Sequence, residues 1–97
     1  MHTLELCRRL DLTLRPLASC PDILATEIHK IEFADKSIRG RWGRVFLERH
    51  IHTLNDLLVY CGRNGVGSLF DRGVSTGCLR VLCETLESFV SKRLQTR

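Results

Sequence analysis

The sequence predicts an all-α fold, a compact bundle of about five helices, on three observations. Apolar residues recur at spacings of three and four along most of the chain. Thr, Pro and Asp stand where helices begin. No strand-like alternation of useful length competes with either signal.

The first helix is expected over residues 3–12, with Leu6, Cys7 and Leu10 on one face and Thr3 as its cap. Leu12, Leu14 and Leu17 continue the apolar content, but Pro16 lacks an amide hydrogen and argues against one helix from 3 to 18. A second helix is expected from Pro21, which suits a first helical position, with Asp22 at the positive end of the dipole. Leu24, Ile28 and Ile31 would line its inner face, and residues 32–37 read as a connection anchored by Phe33.

The third helix is expected over 38–49. At 100° per residue, Ile38, Trp42, Val45 and Phe46 share one side, and Arg41, Arg44 and Glu48 the other. Gly40 and Gly43 weaken such a helix by about 1 kcal/mol each relative to alanine. That loss makes sense where a backbone or a ligand must come close. The fourth helix has the clearest start, because Thr53 and Asp56 are spaced as a capping box. Leu54, Leu57, Leu58 and Cys61 form its stripe, and Gly62 to Gly65 end it. Residues 66–71 read as a short helical turn holding Leu69 and Phe70 inward, and 72–77 as a tight turn. The last helix, about 78–94, carries Leu79, Leu82, Cys83, Leu86, Phe89 and Val90. A basic end follows, with Lys92, Arg93 and Arg97.

Ninety-seven residues, 43% of them hydrophobic, support one folded unit. Residues 1–36 read as an N-terminal helical extension and 37–97 as the helical core. The net charge of +4 permits a polyanionic partner without requiring one. The five cysteines have no Cys-x-x-Cys spacing and mostly fall on apolar helix faces, so free thiols in a reducing cytoplasm are expected. The N-terminus meets charge within eight residues, unlike a signal peptide, and no apolar run approaches the ~20 residues of a membrane span.

The segment from Ser37 to Leu58, Ser-Ile-Arg-Gly-Arg-Trp-Gly-Arg-Val-Phe-Leu-Glu-Arg-His-Ile-His-Thr-Leu-Asn-Asp-Leu-Leu, resembles the C-terminal domain of the bacterial RNA polymerase α subunit. In that family an arginine opens the first core helix, and Ile-x-Thr-hydrophobic-x-Asp-Leu follows about ten residues later. Arg41 and the stretch from Ile51 to Leu57 reproduce that spacing. Gly73 to Leu79, with Leu82 and Leu86, resembles the family's later glycine turn and apolar helix, and the turn itself resembles a degenerate helix-hairpin-helix. The resemblance covers residues 37–90. It implies a small non-enzymatic domain that contacts the nucleic-acid backbone, with Arg41 in the DNA minor groove, Arg44 on DNA, and Ser75, Thr76, Gly77 and Cys78 at a phosphate. Arg39, Arg49, Arg63 and Arg72 can restore charge elsewhere.

Five positions depart from the family pattern. Arg39 or Gly40 stands where the family has a small residue, Ser75 replaces its turn glycine, Thr76 and Gly77 replace two basic residues, and Cys78 replaces a serine. The missing cations favour an alternative, a protein-interaction module that keeps the fold and has lost DNA binding. The partners expected are therefore DNA and a protein of the transcription machinery, with neither a membrane nor an evident small-molecule substrate.

Simpler roles compete at each position. Arg44 and Glu48 can form an exposed pair of about 0.3 kcal/mol. Trp42 is better placed as a core anchor than as a stacking platform. His50 and His52 lack further ligands at metal spacing, and no Cys-His pair has an orienting group, so no metal, cofactor or catalytic residue is expected.

Overall fold

Leucines set the architecture. In a computed structural model that describes residues 3–69 and 74–95, Leu6, Leu10, Leu14 and Leu17 from the start of the chain share one core with Leu57, Leu79, Leu82 and Leu86. Five α-helices surround it: α1 (Thr3–Leu14), α2 (Pro21–Leu24), α3 (Lys36–Glu48), α4 (Leu54–Asn64) and α5 (Thr76–Gln95). The radius of gyration is 12.3 Å, close to the ~13 Å of a folded chain of about 100 residues.

α1 lies along α5 and also touches α4. Its register is fixed by Arg9, whose Nε and Nη2 donate to the two carboxylate oxygens of Glu87 at 3.1 and 2.7 Å. Both side chains are about one-third exposed, so the pair orients more than it stabilises. The helix runs to Leu14 and tightens into a 3-10 turn over Arg15–Ser19, where Pro16 costs no amide bond. The side-chain cap expected at Thr3 lies outside what is described.

α2 does start at Pro21, but it stops at Leu24 instead of reaching Ile31. A long-range pairing ends it. Leu54 N donates to Thr26 O and Ile28 N to His52 O, an isolated antiparallel bridge between Glu27 and Thr53. Ile28 and Ile31 are still buried, from a 3-10 turn and the loop after it, and Phe33 is half-buried against the core. This bridge pins the connection between α3 and α4 to the chain that follows α2.

α3 begins two residues earlier than expected because Asp35 caps it, its Oδ1 accepting from the amides of Ser37 and Ile38. Trp42, Val45 and Phe46 are buried, and the Trp42 and Phe46 rings stack at 5.5 Å. Trp42 Nε1 donates to Cys78 O at 2.9 Å, which fastens α3 to the start of α5. The capping box of α4 forms as expected: Asp56 N donates to Thr53 Oγ1, and Asp56 Oδ2 accepts from Thr53 N. Leu54 and Leu57 are fully buried, while Leu58 and Cys61 are half-buried. A 3-10 turn over Val66–Leu69 buries Leu69; Phe70 and the turn at 70–73, Arg72 and Gly73 included, lie outside the described residues.

α5 starts at Thr76, so Thr76 and Gly77 belong to its first turn and not to the tight turn expected there. Ser75 serves as its cap, with Oγ accepting from Cys78 N at 3.3 Å and its carbonyl accepting from Leu79 N at 3.1 Å. All five cysteines are free thiols. Among the described residues, no helix is long and apolar enough to cross a membrane.

Candidate nucleic-acid interface

Helical periodicity divides α3 into two faces. Trp42, Val45 and Phe46 turn inward, and Gly40, Gly43, Arg44 and Leu47 turn outward. A Cβ added at Gly40 or Gly43 would meet nothing within 4 Å. The two glycines therefore serve no close packing among the described residues. They leave the outer surface of α3 flat, with Arg44 exposed beside them.

Arg41 departs from its expected place. It is exposed, yet it borders the buried face instead of opposing it, because it lies one residue from Trp42 and one turn from Val45. Its Nη1 sits 3.8 Å from Cys78 Sγ at the first turn of α5. Arg41 thus joins Ser75, Thr76 and Gly77, four of the six residues the sequence singled out. The other two separate. Arg39 Nη2 donates to His29 O at 2.9 Å, which draws its guanidinium toward the loop after α2. Arg44 stays on the outer face of α3. No Arg44–Glu48 pair forms among the described residues; Glu48 Oε2 instead lies 3.8 Å from Arg49 Nη1.

The first turn of α5 is electropositive for structural reasons. The opening amides of a helix lack intrahelical acceptors, and the aligned peptide dipoles concentrate positive potential there. Carboxylates answer that potential at the other long helices. Glu5 lies in the first turn of α1, Asp35 caps α3, and Asp56 lies in the first turn of α4. Among the described residues α5 has no acidic residue in its first turn, and a guanidinium approaches it instead.

The Cys78 thiol reports the result. Burial pushes it up, but hydrogen bonds from Ser75, backbone and side chain, and the Arg41 guanidinium more than offset that, leaving it below the ordinary thiol value. Ser75 Oγ lies 3.6 Å from the sulfur. Cys61 shows the opposite: burial, with Asp11 and Cys7 nearby, pushes it up to about 12.

Sequence reasoning missed the role of Cys78 as the meeting point of α3 and α5. The spacing Ser75-x-x-Cys78 is a helix-start signal that could have placed it. No group of three or more potential metal ligands exists among the described residues, His50 and His52 included. No family model matches the chain, and neither a curated protein nor a solved structure does.

Proposed function

We propose that this protein is a small non-enzymatic domain that contacts the backbone of DNA through the outer face of α3 and the first turn of α5. One observation carries the reading: Arg41 approaches the first turn of α5, which holds no acidic residue among the described residues, so a guanidinium and the positive end of a helix dipole lie together. Arg44 and the flat surface at Gly40 and Gly43 offer a second contact beside it. The reading follows the resemblance to the RNA polymerase α C-terminal domain, in which Thr76 and Gly77 stand where the family has two basic residues.

A second reading has its own support. Leu47 is 68% exposed on the same face of α3, and an exposed leucine there, with the family's two basic residues missing at Thr76 and Gly77, suits a protein partner of the transcription machinery. Duplex binding measured against salt separates the two. On the DNA reading, generic duplex binds at low salt, and Arg41→Ala or Arg44→Ala each flattens the slope of log K against log salt by about 0.9. Arg44→Ala leaves the melting temperature unchanged. Absence of wild-type binding at low salt would leave the protein-interaction reading.

A further inference from the structure

We infer that an acidic amphipathic helix of a partner protein docks along the flank of α3 that carries Lys36, Arg39, Gly43 and Leu47, with one large apolar side chain seated in the socket between α3, the turn at Ile28–Lys30 and the α3–α4 connection. The inference rests on the protein-partner reading above and names the chemical class of that partner. Arg41 lies two residues from Gly43, about 160° round the helix, so a DNA contact at Arg41 and the start of α5 is made from another side of α3.

The socket measures about 210 Å³, room for a side chain of leucine or phenylalanine size. Ile28, Phe46 and Ile51 are its buried apolar lining, and Gly43 and Leu47 border it on α3. It exists because Ile28 N donates to His52 O, which holds two loops together beside α3. Gly43 keeps its mouth open, since a Cβ there would meet nothing within 4 Å. Leu47, one turn further along α3, stands exposed at the same opening. An open apolar hollow with an exposed leucine at its edge suits the anchor side chain of a docked helix.

Charge selects the partner's sign. Lys36, Arg39, Gly40, Gly43 and Leu47 fall within about 100° of the α3 circumference, and all five are exposed. Both charged members of this stripe are cations. Lys36 has no partner among the described residues. Arg39 Nη2 donates to the neutral carbonyl of His29 at the socket, which leaves the guanidinium charge uncompensated. Arg44, also without a partner among the described residues, borders the stripe. The nearby acids are engaged: Glu27 pairs with Lys30 at 2.8 Å, Asp35 Oδ1 accepts the amides of Ser37 and Ile38, and Glu48 lies 3.8 Å from Arg49. Duplex DNA would meet the cations but brings no apolar side chain for the socket. A helix with glutamate or aspartate flanking a leucine or phenylalanine answers both features.

The test is a display selection of random peptides of about four helical turns against the full chain, followed by fluorescence anisotropy of the strongest clone. Enriched clones should carry glutamate or aspartate around leucine, phenylalanine or tryptophan at helical spacing. Gly43→Leu fills the socket from within and replaces glycine by a better helix former, so it stays folded and should bind the clone about tenfold more weakly or worse. Lys36→Glu sets an acid in the first turn of α3, which the helix dipole favours, and should weaken binding about tenfold. Lys92→Gln, at an exposed position on α5, should bind as wild type. No enrichment, or undiminished affinity in Gly43→Leu, would overturn the inference. Neutral or basic clones that Gly43→Leu fails to bind would overturn the acidic partner and leave the protein-partner reading standing. Loss of duplex DNA binding without loss of peptide binding in Lys36→Glu would assign this flank to nucleic acid and overturn the inference.

Discussion

The starts of α4 and α5 solve one problem in two ways. At α4, Thr53 and Asp56 take the orphan amides from both directions, and a carboxylate sits on the positive end of the helix. At α5, Ser75 takes one amide, no carboxylate follows in the first turn, and Arg41 leans in from α3. The first terminus is electrically closed and contributes to the fold alone. The second keeps its positive potential and adds to it. A guanidinium and a helix start both favour an anion, which is the basis of the proposed contact.

Removing what holds the second terminus together has the largest effect. Trp42 is 1% exposed, stacks on Phe46 and donates to Cys78 O. Trp42→Ala should cost about 3–5 kcal/mol by denaturant melting, and it should release Arg41 from the α5 turn. Near-wild-type stability would mean that α3 and α5 are not joined there.

Thiol titration compares the two kinds of environment within one residue type. Cys61, half-buried against the core, is pushed up to about 12, whereas Cys78 at the α5 start is pulled down. A raised group is protonated in both states below its unfolded value, so its contribution is intact there. Above pH 9 the unfolded chain loses the Cys61 proton first, and stability drains until about pH 12 is passed. Cys61→Ala should remove up to about 1.4 kcal/mol per pH unit from that decline. The lowered Cys78 acts with opposite sign, and its contribution is present above the unfolded value and fades as pH falls through the folded one. An unchanged alkaline slope in Cys61→Ala would show that this thiol is solvated.

The cap substitutions come next in size. Thr53→Ala and Ser75→Ala should each cost about 1 kcal/mol. Only Ser75→Ala should also raise the Cys78 thiol, followed by its rate of alkylation against pH. Equal effects on the thiol would erase the distinction between the two termini.

Much of this was legible in the sequence, for identifiable reasons. The α4 cap depends on residues three apart, and Thr53 and Asp56 form it as their spacing predicts. The buried faces of α3 and α5 follow from helical period, and Trp42, Phe46, Leu82 and Leu86 are all buried. What failed depends on distant partners. The end of α2 is decided by pairing with residues 52–54, nearly thirty positions on. Arg39 was drawn off by a carbonyl on the preceding loop. Arg41 was misjudged by the wheel because a border position is neither face until the neighbouring helix is placed. The expectation that Gly40 and Gly43 admit a close neighbour finds none among the described residues.

The smallest change in stability gives the most direct test. Thr76→Asp places at α5 the carboxylate that α4 already has, at an exposed first-turn position. It should leave melting unchanged or raise stability by about 0.3–1 kcal/mol through the helix dipole. Binding of the variant to generic duplex DNA, measured against salt beside the wild type, should be abolished or much weakened at low salt. Undiminished duplex affinity in a folded Thr76→Asp protein would contradict the claim that the open start of α5 is where this domain meets its anion.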